Sequence, residues 1–259
     1  MLPALLMLGS ALYVYRGYVV LAAARGERLQ LSARHVATFT RESAARAVLT
    51  LLTPLAVGRA RLPSEPTLSS PPVVLVPGGW NRSSMWFLRA FLRRRGRVVM
   101  IVDRLRRDSS LAEDAMALKE VTTEICARMG TRRVDLVGFD RGGLVAAWYA
   151  KHLGGAETTR RLVCLGTPWR GTRTSVFRAG GAELRWDNPV LDPLVPPPIP
   201  TVCIWSPDDP EVVPTVSSAP THGIDGVCLD GAGHYELLLS ARAFRAVEAA
   251  LRGAAEVRT

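Results

Sequence analysis

The residue best placed to do chemistry in this chain is a carboxylate set among glycines. Residues 138–143 read Gly-Phe-Asp-Arg-Gly-Gly and follow the apolar run Val134-Asp135-Leu136-Val137. This is the pattern of a strand that enters a tight turn and then a helix. It has the spacing of Gly-x-Ser-x-Gly, the turn that lifts a nucleophilic serine above a sheet, but Asp140 stands in the serine's place. Small neighbours are needed there because the middle residue sits on strained backbone that pushes its side chain outward. The plainer alternative is an ordinary strand-turn-helix glycine cluster. A dinucleotide site is not indicated, because Gly-x-Gly-x-x-Gly is not met.

Three other stretches carry matching chemistry. Gly231-Ala-Gly-His234 follows the strand-like residues 227–229, and a histidine at that exit can act as general base toward Asp140. Ser206-Pro-Asp-Asp209 follows residues 202–205, where a carboxylate would orient His234 and stabilise its protonated form. Asp209 is the expected partner, with Asp208 as the alternative; either carboxylate also suits capping of the following turn. Val76-Pro-Gly-Gly79-Trp80 ends another apolar run. Backbone amides at Gly79 and Trp80, with that of Arg141, would make an oxyanion hole. His35, His152 and His222 lack such a setting and read as surface or core residues.

Those residues must be positioned by the elements around them. Apolar runs at 73–76, 98–102, 134–139, 162–165, 202–205 and 227–229 alternate with helical spacing at 83–95, 111–129, 142–153 and 241–251. Ser109 or Ser110 suits the N-cap of the second of these helices. Continuous apolar strands alternating with helices predict a parallel sheet covered on both faces. Ligands in such sheets bind at the carboxyl ends of the strands, where the four motifs fall. Residues 167–200 form only a short, proline-rich lid.

Composition narrows the function classes. With 259 residues and 48% hydrophobic content, the chain can bury a full core. The formal charge of +10 comes almost wholly from arginine, the lysines being Lys119 and Lys151. No nucleic-acid-binding signature accompanies the basic residues, so no nucleic-acid partner is expected. Cys126, Cys164, Cys203 and Cys228 form no C-x-x-C pair and read as buried small hydrophobes, so neither metal nor cofactor is expected. Residues 1–61 form an apolar, helical appendage. Residues 62–72 read as a proline- and serine-rich linker to a main domain at 73–259. Residues 1–24 are a candidate membrane segment interrupted by Arg16. The arginines after it favour a cytoplasmic body. Two amphipathic helices packed on the domain are the alternative.

In this order the motifs resemble those of the α/β-hydrolase superfamily, with the lipase branch as the nearest match. Val134-Asp-Leu-Val-Gly138 through Gly142-Gly-Leu-Val145 resembles the lipase stretch Val-Asp-Leu-Val-Gly-His-Ser-x-Gly-Gly-Leu-Val. Leu165-Gly-Thr-Pro-Trp-Arg-Gly-Thr172 is similar to the lipase Leu-Gly-Thr-Pro-His-x-Gly-Thr, and Ser206-Pro-Asp-Asp209 to its acid-bearing stretch. The resemblance implies an α/β-hydrolase fold, Asp209 as triad acid, His234 as triad base, and a small-molecule or lipid-like substrate. Four positions depart from it: Asp140 for serine, and Phe139, Pro77 and Trp169 for histidines. A carboxylate attacking an ester carbonyl would give a labile anhydride. It can instead displace at an alkyl carbon and leave an ester for His234-activated water. Epoxide hydrolases and haloalkane dehalogenases of this superfamily use that route, but with a large helical cap. A third possibility is a non-catalytic relative used for binding or scaffolding.

Overall fold

The computed structural model describes residues 2–26, 33–53, 70–79, 82–106, 108–177 and 181–253. Most of the expected linker, and Trp80, lie outside the described residues. Six strands form one all-parallel sheet: β1 (Val73–Val76), β2 (Val99–Ile101), β3 (Val134–Phe139), β4 (Thr159–Leu165), β5 (Thr201–Trp205) and β6 (Asp225–Cys228). Their spatial order is β2-β1-β3-β4-β5-β6, so the order reverses between β1 and β3. That reversal opens a crevice at the carboxyl ends of these two strands. Asp140 directly follows β3, and Pro77-Gly78-Gly79 directly follows β1.

Strands β1 and β3 are buried along their whole length, which is why their sequences are almost continuously apolar. Side chains alternate with a period of two. On β1 and β3, Val74, Val76 and Leu136 pack with helices α4 (Leu111–Met129) and α5 (Arg141–His152). Val73, Leu75, Val137 and Phe139 pack on the other face with α3 (Trp86–Arg93) and α7 (Ala241–Arg252). A short turn of helix, α6 (Gly155–Thr158), leads into β4. Ser110 is the N-cap of α4 and forms a capping box: its hydroxyl accepts from Glu113 N, and Glu113 Oε2 accepts from Ser110 N at 2.8 Å. Such a cap contributes about 1 kcal/mol.

Two helices precede the sheet, α1 (Leu2–Arg25) and α2 (Ala33–Leu51). They pack side by side against the body. Val14, Tyr18 and Leu21 of α1 are buried together with Val213 of the loop after β5. The lid at 167–200 carries three short 3-10 segments, Arg173–Phe177, Gly181–Leu184 and Asp192–Leu194.

Several details differ from expectation. β4 starts at Thr159 rather than at 162, and β6 spans Asp225–Cys228 rather than 227–229, because backbone pairing extends over polar residues that an apolar run does not reveal. The spacing over 83–95 predicts one helix, but Arg82–Met85 forms a 3-10 turn before α3 begins. Cys164 and Cys203 are buried as expected, whereas Cys228 is exposed and Cys126 half-buried. Cys228 lies on the edge strand β6, which has a neighbour on one side only.

Candidate active site

The turn after β3 has the strain its sequence foretells. Asp140 adopts φ 52°, ψ −126°, a conformation that costs a non-glycine residue about 1–3 kcal/mol. It persists because its surroundings leave no alternative. Asp140 N donates to Leu165 O at 2.9 Å, and Asp140 O accepts from Gly143 N at 3.1 Å. Gly142 lies so close to β1 that a Cβ there would stand 2.1 Å from Val76 O. The turn therefore needs glycine for close approach, and the helix that starts beside it is pinned to the sheet.

Three expected side chains converge above this edge. Asp209 is fully buried in the loop after β5. Its Oδ1 accepts from Glu211 N at 2.7 Å and Val212 N at 3.0 Å, and its Oδ2 lies 2.7 Å from His234 Nδ1. A carboxylate only accepts, so Nδ1 carries the proton and donates. Asp209 thus caps its own turn and orients the imidazole at once. Asp208 does not reach His234; its Oδ2 accepts from Gly231 N at 2.8 Å and so braces the histidine's loop. His234 Nε2 faces Asp140 Oδ2 at 3.8 Å, within ion-pair range and beyond hydrogen-bond range. The ring of Phe139, which stands where the lipase stretch has histidine, packs on the His234 ring with centroids 4.7 Å apart.

Electrostatics make this imidazole unusual. Burial alone would push its pKa down. The charge of Asp209 and the proximity of Asp140 outweigh burial, and His234 is held well above its ordinary value. The protonated form of the imidazole is thereby favoured, set between Asp209 and Asp140.

The other expected residues are placed unevenly. Gly78 abuts Asp140, since a Cβ there would lie 3.2 Å from Asp140 Oδ2, which brings the neighbouring Gly79 to the same edge. Arg141 is the first residue of α5, where a backbone amide has no partner inside the helix. Its side chain points elsewhere. The guanidinium pairs with Asp114 of α4 and donates to Ser109 O at 2.8 Å, tying the strained turn to the next helix. His35 is half-buried, and His152 and His222 are exposed. Among the described residues, no group of three or more His, Cys, Asp or Glu side chains is arranged to hold a metal ion. A cavity of about 200 Å³ lies beside the lid, lined by Trp169, Arg170, Asp192, Val195 and Val216 among others, and none of the three converging residues lines it.

Sequence reasoning missed one acidic residue beside this site. Glu42 of α2 is fully buried and accepts from Tyr235 N at 2.8 Å and Glu236 N at 2.9 Å, directly after His234. Nothing near Glu42 in the chain announces this contact, which joins residues 193 and 194 positions apart.

Residues 73–189 match the alpha/beta hydrolase family. No curated protein matches the chain. Solved structures share the fold at low identity. The mature lipase BlEst2 of Bacillus licheniformis is 16% identical with a TM-score of 0.61, covering 74% of this chain and 96% of its own. Lipase B of Aspergillus fumigatus is 17% identical with a TM-score of 0.63, covering 82% of this chain and 57% of its own. The carboxylesterase CesB of Bacillus subtilis is 15% identical with a TM-score of 0.51, covering 86% of this chain and 99% of its own.

Proposed function

Taking the α/β-hydrolase fold of this chain as premise, we propose that it is a hydrolase of lipase/esterase-like architecture whose nucleophile is the Asp140 carboxylate. One observation carries the reading: Asp140 occupies the strained turn at φ 52° with its Oδ2 3.8 Å from His234 Nε2. Its substrate is a small apolar or lipid-like molecule with a leaving group on a saturated carbon. Asp140 displaces that group, which departs with the bonding electrons, and an alkyl ester of Asp140 results. The ester is neutral, so one of the two carboxylates that hold His234 protonated is gone. The imidazole then loses its proton more readily and can take one from water. Water attacks the carboxyl carbon of Asp140 and the alcohol leaves. The balance is alkyl–X plus water to alcohol, X⁻ and H⁺. Direct ester hydrolysis in the lipase manner is disfavoured, because two acidic neighbours favour the protonated form of His234 over the free base and a carboxylate would form an anhydride. Backbone amides at Gly79, Trp80 and Arg141 would stabilise the oxyanion of the second step.

A second reading is a non-catalytic relative that binds or scaffolds. The observation favouring it is the enclosure of His234, fully buried and held between Asp209 and Asp140 with no substrate needed. Single turnover in ¹⁸O-water, with enzyme in excess, separates the two. Alkyl halides, epoxides and esters form the panel, and intact mass is the readout. The nucleophile reading expects a transient adduct on Asp140 and the label retained in Asp140, with an unlabelled alcohol. Label in the alcohol during the first turnover would sink it. If nothing reacts with the wild type, while a folded Asp140→Ser variant hydrolyses short-chain esters, the second reading stands.

A membrane surface is the proposed partner. α1 is long and apolar enough to cross a membrane by length and composition, and it is the one such helix among the described residues. Its middle and end are nevertheless tied to the body: Tyr13 donates to Glu211, and Arg25 donates to Pro207 O at 2.7 Å. The opposite side exposes Leu5, Leu8, Leu12, Tyr15 and Val19. Five apolar residues at helical spacing, on a chain of charge +10, suit in-plane docking on anionic lipid. Co-sedimentation with phosphatidylserine-containing vesicles checks this. The wild type should pellet with them, and Leu8→Glu/Leu12→Glu should stay in solution. A wild type that never pellets defeats the idea.

A further inference from the structure

The N-terminal helices lie against both loops that deliver the site residues. α1 meets the loop carrying Asp209: Glu211, two residues on, pairs with Arg16 at 3.5 Å and accepts from Tyr13 at 3.2 Å. α2 meets the loop carrying His234, and there the contact is closer. Glu42 is fully buried, yet its two carboxylate oxygens meet the peptide groups that follow His234. Oε1 accepts from Tyr235 N and Oε2 from Glu236 N. Arg41, its neighbour on α2, donates to Gly231 O at 2.7 Å and to Glu236 Oε1 at 3.0 Å. The histidine loop is thus gripped on both sides of His234 by consecutive residues of one helix.

The spacing in Gly231-Ala-Gly-His reflects this contact. Gly233 has no room for a side chain because a Cβ there would stand 2.2 Å from Glu42 Oε2. Taking an isolated carboxylate out of water costs several kcal/mol unless its oxygens are satisfied. Burial outweighs the downward pull of the Tyr235 N–H, His234 and the Glu236 N–H, and Glu42 is pushed up to about 8. A merely structural helix contact would be met more cheaply by an apolar residue. The carboxyl group instead supplies two acceptor oxygens to the two amides that set the backbone of His234, and through it the 2.7 Å bond to Asp209.

We infer that Glu42 is a positioning residue for His234, so that the α1–α2 pair forms part of the catalytic unit. This rests on the function proposed above for its consequence in turnover, and on geometry alone for the positioning itself. The test therefore reads the histidine directly. In the full-length chain, the Nδ1 proton of His234 should give a slowly exchanging downfield NMR signal, assigned by its loss in His234→Gln. Glu42→Ala should broaden or abolish that signal. Glu42→Gln, which keeps the shape and one of two acceptors, should retain it with a changed shift. Gly233→Ala, which drives a methyl into the carboxylate, should act as Glu42→Ala does. Where a substrate turns over, Glu42→Ala should lower kcat about tenfold with KM within twofold, and Glu42→Gln should recover part of the loss. The signal is read without substrate, so an inert wild type leaves the test standing. A folded Glu42→Ala or Glu42→Gln whose His234 signal matches the wild type in position and exchange overturns the inference. If Glu42→Ala fails to fold, Glu42→Gln decides.

Discussion

Strand β3 carries a buried carboxylate at each end, and the two are held in opposite ways. Near its start, Asp135 is fully buried and receives a two-pronged contact from Arg160, Nε at 2.8 Å and Nη2 at 2.5 Å, with Arg97 at 3.8 Å. Arg97 also pairs with Glu248 of α7, and Arg160 donates to Leu251 O. Beyond its end, Asp140 faces an imidazole. Arginine does not titrate in the working range, so the first end has no proton-exchanging partner and braces sheet to helix. Histidine does titrate, and the second end can exchange a proton. Strand and residue type are the same at both ends. The partner decides whether a buried carboxylate is a brace or a reagent.

The contrast is sharpest in stability. Asp135→Ala removes the acceptor shared by half-buried Arg160 and buried Arg97, which keeps Glu248, and should cost about 1–3 kcal/mol in urea unfolding. Asp140→Gly relieves strained backbone and should instead raise stability by about 1 kcal/mol. Equal losses at both positions would break the comparison. A smaller effect comes from pH. The folded pKa of His234 lies well above its unfolded value of about 6.5, so protonation binds more tightly in the folded state. That contribution is complete below about pH 6.5 and is lost as pH rises through the folded value, with a slope approaching 1.4 kcal/mol per pH unit. Asp140→Asn removes one carboxylate, so the loss should finish at lower pH. Unfolding free energies measured between pH 6 and 10 check this, and superimposable profiles would refute the assignment of Asp140 as a cause of the raised pKa.

Most of the fold was legible because nearly every strand contains a short apolar run and the main helices are periodic; the polar starts of β4 and β6 were not, since pairing with a neighbouring strand extends them. Residues 134–139 and 111–129 were read with the bounds they have, since Gly138, Ser110 and Gly130 punctuate them by local rules. Asp140 was legible for a related reason: the conformation of a tight turn is set by its own residues and immediate neighbours. The convergence of Asp140, Asp209 and His234 followed from their positions after β3, β5 and β6, because a parallel sheet gathers strand ends on one edge.

What chain order does not encode was decided by tertiary packing. Asp208 and Asp209 are equivalent as sequence, and only the path of the loop turns one toward His234 and the other toward Gly231. The guanidinium of Arg141 lies in the middle of the strained-turn motif yet is spent on Asp114, because α4 passes beside it. The N-terminal helices read equally well as a membrane segment or as packed helices, since apolar residues suit either setting. Their docking against the loops after β5 and β6 depends on side chains nearly two hundred positions away. Glu42 marks that limit most clearly. Its carboxyl group, in an otherwise ordinary helix, is accounted for only by the two amides that folding brings to it.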